Sequence, residues 1–159
     1  MKQRLLRGFS FLLFPLIALA IGWLSSDLTR YGMTTVYPTL HKPALTPPDF
    51  VFPIAWGILF VLMGIGMAMV WNRGHYKAAP ALLFWLLQLA FNFAWVLLFF
   101  GQNNHLCALI CLVVLFILVL LMALQFRSIN IAAARLQIPY LLWLLFAGYL
   151  NGAIWILNR

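Results

Sequence analysis

The chain has 159 residues, of which 66% are hydrophobic and 8% charged, against about 25% charged residues in an ordinary soluble domain. That leaves too little polar surface to coat a water-soluble particle, and each membrane-crossing helix takes roughly 20 apolar residues for about 30 Å of hydrocarbon, so no soluble catalytic domain fits beside the helices. The net charge of +8 comes from ten lysines and arginines scattered between apolar runs. They form no stripe of the kind that binds nucleic acid, and read instead as topology signals. The two acidic residues, Asp27 and Asp49, fall outside the apolar runs, so no carboxylate lies in the membrane to carry protons or bind cations. A proton pump or carboxylate-coupled transporter is disfavoured.

In chain order, the apolar runs predict an all-α integral membrane bundle, one domain over 1–159, with helices near 8–26, 51–71, 80–100, 105–126 and 136–157. They lack the alternation of a β-barrel strand. The first run resembles a secretory leader, with Lys2, Arg4 and Arg7 ahead of it and a cleavage-like Ala18-Leu19-Ala20, but it continues through Ile21, Trp23 and Leu24 to a length that spans and stays. Pro15 should kink this helix by removing the bond to the Phe11 carbonyl.

Residues 27–50 form the one long non-helical segment, and loops above about 12 to 15 residues are usually functional or disordered. Pro38, Pro43, Pro47, Pro48 and Pro53 lie in or beside it and stiffen it, which suggests a lid carrying His41, Leu45, Pro47 and Pro48. Asp49 is placed to cap the second helix, and Pro53 fits its first turn. Pro80 opens the third helix and Pro139 falls in the first turn of the fifth. Cys107 and Cys111, four apart, share a helical face and do not make a Cys-x-x-Cys motif, so they read as structural thiols.

With the N-terminus inside, the inner side collects Lys2, Arg4, Arg7, Arg73, Lys77, Arg127 and Arg135, and the outer side Arg30, Lys42 and Arg159. Seven cations against three favour N-in, C-out, in a bacterial cell membrane.

Three helices carry stripes that suggest a site. In the third, Trp85, Gln88, Asn92, Trp95 and Phe99 recur at helical spacing; the fifth offers Tyr140, Trp143, Ala147, Leu150 and Asn151; the second offers Phe52, Trp56, Phe60 and Met63. Amides on such a face should point inward, because an unpaired amide facing lipid is costly. Aromatic walls with a few amides suit a large, flat, mainly apolar ligand such as a tetrapyrrole or sterol. The plainer alternative is that the rings are bundle packing or interfacial belt and the amides interhelical glue.

His41, His75 and His105 fall in loops or at span edges, which disfavours buried bis-His haem ligation; His41 is either a single ligand beside the lid or an ordinary solvated histidine. No metal-spaced cluster, phosphate loop or nucleophile with an adjacent base appears, so no catalytic residue is assigned. No cofactor is required, with porphyrin or haem expected as ligand rather than resident group. Ala18 with Gly22, and Ala90 with Ala94, make small-xxx-small pairs that fit a homodimer seam or intramolecular packing equally. Arg135 and Tyr140 fit the loose inverted cholesterol-contact pattern, which a snorkelling Arg and an interfacial Tyr also explain.

The segment KPALTPPDFVFPIAW, Lys42 to Trp56, resembles the signature of the TspO/translocator protein family, the tryptophan-rich sensory proteins also known as peripheral-type benzodiazepine receptors. The likeness continues through LMGIGMAMVW from Leu62, QLAFNFAW from Gln88, LFFG from Leu98 and RLQIPYLLWLLFAGYLN from Arg135. It implies five helices, often a homodimer, and a pocket closed by the first loop that binds porphyrins, sterols and benzodiazepine-type drugs, with a role in transport or stress signalling. Carried over position by position, it implies Trp56, Asn92, Trp95, Trp143, Ala147 and Leu150 around the ligand; the third-helix stripe adds Phe99, and Phe50, just after the Pro-Pro pair, is expected there too. Some bacterial relatives degrade protoporphyrin in light. Here Leu45 and Phe50 stand where many members have Trp, which weighs against that activity. Gly152 and Ile156 replace the Tyr and Arg of the animal sterol motif, which weighs against tight cholesterol binding.

Overall fold

A computed structural model describes residues 2–159, with side chains from Gly8 onward. Its helices are α1 (Lys2–Leu28), α2 (Val51–Trp71), α3 (Ala78–Val96), α4 (His105–Ile129), a short α5 (Ile131–Arg135) and α6 (Ile138–Leu157). Five segments are long and apolar enough to cross a membrane, the last being α5 and α6 together, Ile131–Leu157. Leu83, Ile110, Ile117, Leu142 and Leu145 are exposed around the bundle. In water such a surface would drive aggregation; in a bilayer it is the face that meets the acyl chains. The chain is a multi-pass integral membrane protein.

α1 packs along α2, α3 along α4, and α4 along α6, with α1 against α3 and α5 against α2 closing the bundle. Small residues set the closest approaches. A methyl group at Gly64 of α2 would run into the backbone of Pro15, and one at Gly22 of α1 into the ring of Phe60. Ala18 is fully buried. The Ala18 and Gly22 pair therefore serves contact within the chain, and Pro15 sits inside a continuous α1, against Gly64 of α2.

Four expectations need correction. Residues 27–50 are not one non-helical segment: α1 runs to Leu28, a π-turn follows at Gly32–Val36 and a 3-10 turn at Tyr37–Thr39. Asp49 does not cap α2. Phe50 is the residue before its first turn, with no side-chain bond, and the Val51 N–H is taken by the Pro48 carbonyl at 2.9 Å. The chain between α4 and α6 is not a loop, because Asn130 turns extended and its Oδ1 accepts from the N–H groups of Ala132 and Ala133 at 3.0 and 3.4 Å, starting α5. Tyr140 is not interfacial but fully buried, which removes half of the sterol-contact pattern. Lys2, Arg4 and Arg7, on which the orientation partly rests, lie outside the residues whose side chains are described.

Candidate ligand-binding site

Trp56, in the second turn of α2, is the hub of the interior. Its ring centroid lies 5.7 Å from Phe60, 5.7 Å from Trp95 of α3, and 6.1 and 6.4 Å from Tyr140 and Trp143 of α6. From there the contacts run in a closed circuit. Trp143 meets Phe52 at 6.1 Å, Phe52 meets Tyr37 at 6.4 Å, Tyr37 meets Phe100 at 5.4 Å, and Phe100 returns to Trp95 at 6.4 Å. Phe99 sits inside the same arc, 5.8 Å from Trp95 and 4.7 Å from Phe100. Each such pair adds about 0.5 to 1.5 kcal/mol beyond its buried area, so the circuit is both a cluster and a cohesive closure.

Two local features of the backbone make it. Leu97–Gly101 is a π-helical turn, whose i→i+5 bonding brings Phe100 round beside Trp95, five residues earlier. Gly32 lets the segment after α1 rest on that turn, since a methyl there would collide with the Phe100 carbonyl. Tyr37 then drops into the rings with Lys42 Nζ 4.1 Å above its centroid. Burial and the negative charge of Asp49 push its phenol up to about 12, so Tyr37 is a neutral hydroxyl throughout the physiological range.

The amides form a frame behind the rings. Trp95 Nε1 donates to Asn151 Oδ1 at 3.1 Å, and Asn151 Nδ2 donates to the His105 carbonyl at 2.7 Å. Asn92 Nδ2 donates to the Tyr140 hydroxyl at 3.1 Å, which donates to Gln88 Oε1 at 2.9 Å. Trp85 Nε1 donates to the Met63 carbonyl at 3.2 Å. Gln88, Asn92 and Asn151 are all buried. They point inward as their spacing indicated, and their bonds run to the protein, gluing helices and fixing rings. Trp143 differs: its indole nitrogen is buried and has no hydrogen-bond partner among the described residues.

The residues singled out from sequence divide accordingly. Trp56, Trp95, Phe99 and Trp143 come together; Asn92 joins through Tyr140; Ala147 and Leu150 are buried on α6. Phe50 does not join, being 66% exposed, and Phe52 takes the place expected of it. In the lid, His41, Leu45 and Pro48 are exposed and Pro47 half-buried. Tyr37 and Phe100 were missed. Tyr37 lies in a segment without periodicity, and Phe100 reaches the site only through the π-turn. Two surface concavities lie outside the circuit, one of about 390 Å3 beside His105, Trp155 and Asn158, the other of about 500 Å3 beside Phe11, Met69 and Arg73. None of the circuit's rings lines either one.

Residues 13–156 match the model of the TspO/MBR family. The chain belongs to this family. It is 38% identical over 144 residues to a tryptophan-rich protein TspO of Chlorobaculum tepidum, covering 89% of this chain and 91% of that one. It is 38% identical over 143 residues to a protein of the same name from Archaeoglobus fulgidus, covering 90% and 93%. To the translocator protein of Bos taurus it is 36% identical over 145 residues, covering 89% and 86%.

Proposed function

We propose that the protein is a membrane receptor or carrier that binds tetrapyrroles, such as protoporphyrin or haem-like molecules, and other flat apolar ligands among the rings of the aromatic circuit, with a role in transport or stress signalling. The observation that carries this reading is the closed ring circuit drawn from α2, α3, α6 and the lid, with one buried indole N–H left over. A flat ligand exchanges ring-to-ring contacts for ring-to-ligand contacts of similar strength, and an acceptor on it would satisfy Trp143 Nε1, whose burial without a partner costs about 1 to 3 kcal/mol. The name translocator, borne by the bovine relative, accords with a carrier.

Protoporphyrin titration of the purified protein, followed by quenching of tryptophan fluorescence, tests it. Saturable quenching is expected, weakened about tenfold or more by Trp143→Ala and by Asn92→Ala, which frees Tyr140. Absence of saturation, or indifference to both substitutions, overturns it. Illumination of the complex separates a carrier from a photo-oxidative enzyme: turnover faster than that of unbound porphyrin would make it the latter.

The same reading places the N-terminus inside and the C-terminus outside a bacterial cell membrane. Among the described side chains, Arg73, Lys77, Arg127 and Arg135 lie toward one face and Arg30, Lys42 and Arg159 toward the other. Cys107 is exposed in the first turn of α4, at the lid end, while Cys111 is buried with its Sγ 3.4 Å from the Phe91 carbonyl. A membrane-impermeant maleimide should therefore label intact cells at Cys107 alone, and Cys107→Ser should abolish the signal. Labelling only after permeabilisation would invert the topology. A homodimer seam keeps the exposed Ala90 of α3 and loses the Ala18 and Gly22 pair, which α2 covers.

A further inference from the structure

The lid is also tied to the C-terminal end of α6, through one side chain. Asn158, just past α6, accepts from the His41 N–H through Oδ1 at 2.9 Å and donates from Nδ2 to the His41 carbonyl at 2.9 Å. The same Nδ2 reaches the Ile154 carbonyl at 2.8 Å, so the carboxamide is anchored to its own helix while it pairs with the lid as a neighbouring strand would. Among the described residues these are the only hydrogen bonds that join residues 41–50 to α6, whereas Leu40 N–H bonds back to the Tyr37 carbonyl at 3.3 Å. The rest of that stretch is tied locally, Thr46 N–H to the Pro43 carbonyl at 3.0 Å and Val51 N–H to the Pro48 carbonyl at 2.9 Å.

Before His41 the chain is held firmly, by Gly32 on the Phe100 carbonyl and by Tyr37 among the rings. After it Lys42 still lies over the Tyr37 ring, and beyond that come exposed Leu45, Pro48 and Phe50. The carboxamide thus sits close to where the firmly held part of the lid gives way to its more exposed part. We propose that Asn158 is the latch of the lid, and that its release controls how fast ligand enters and leaves the aromatic site. The contact is with the backbone of residue 41, so the identity of the histidine side chain is immaterial to it. The residue at 158 is not: Asp keeps an acceptor for the His41 N–H but offers no donor to the His41 carbonyl, and Ala and Leu offer neither group.

Because the latch bridges lid and bundle without touching the rings, it opens or closes the same site in the occupied and unoccupied protein. Loss of the latch should raise association and dissociation rates together and leave Kd nearly unchanged, which a residue lining the site would not do. The kinetic part rests on the ligand-binding reading above; the contact itself does not. Two measurements on full-length protein in lipid nanodiscs keep them apart.

Amide hydrogen exchange without ligand should show the His41 N–H protected in the parent chain and in His41→Ala, and exchanging about tenfold faster or more in Asn158→Ala and Asn158→Leu, the factor that loss of two hydrogen bonds allows. Stopped-flow mixing with protoporphyrin should show both rate constants raised about tenfold in the Asn158 variants, with Kd within threefold. Unchanged exchange in both Asn158 variants overturns the latch. Faster exchange with unchanged rates overturns its control of entry. If the parent chain fails to bind protoporphyrin, the ligand reading and the kinetic role fall together, and the exchange result still decides whether Asn158 holds the lid.

Discussion

The Gly64→Val substitution is expected to destabilise the protein by about 3 kcal/mol, the upper end of what overpacking a close contact costs. The added atoms would meet the backbone of Pro15, and backbone cannot step aside by changing a rotamer. α1 would have to move off α2 along their shared length, which is the most extensive helix contact in the bundle. Gly57→Val is the matched control, because it lies on the same helix, carries the same change of helix propensity, and a methyl there meets nothing within 4 Å. Thermal unfolding in detergent, followed by tryptophan fluorescence, should separate the two variants clearly. Equal losses would mean that propensity, not the approach of α1, governs the effect.

The Asn151→Leu substitution is expected to cost about 2 kcal/mol and to turn Trp95 out of its place in the ring circuit. Leucine has nearly the shape of asparagine but leaves both the Trp95 indole N–H and the His105 carbonyl without their partner. In a soluble core two orphaned groups would cost more; in membrane proteins the measured coupling of such bonds averages about 0.6 kcal/mol, so the lower figure is the better expectation. The prediction is checked by a double-mutant cycle with Trp95→Phe, in which the second substitution should cost markedly less than it does in the parent background. Protoporphyrin affinity should fall with the loss of Trp95 orientation. A fully additive cycle would show that Asn151 does not hold the indole.

Side chains that matter over one helical turn were readable without coordinates. The positions of the five spans follow from apolar runs, because the thickness of hydrocarbon fixes how many residues a crossing requires whatever its neighbours are. Gln88, Asn92, Trp95 and Phe99 declared a common face through their spacing, because helical period is a property of the local chain. The inward direction of the amides followed too, since lipid offers them no partner.

The partners of those groups could not be read. Asn92 finds Tyr140 and Trp95 finds Asn151 across 48 and 56 residues of sequence, and Asn158 finds His41 across 117. Tyr37 enters the circuit from a segment with no period, and Phe100 enters because one turn of helix is wound wider than its sequence announces. By itself the sequence determined that the chain lives in a bilayer, how many times it crosses and which faces of three helices carry rings and amides. Only the tertiary structure decided which rings meet, which amides are occupied in holding them, and that Asn158 reaches the backbone of His41. Solvent and helical period act along the chain, whereas ring contacts and hydrogen bonds between helices depend on close approaches, such as those at Gly22, Gly32 and Gly64, that no local pattern records.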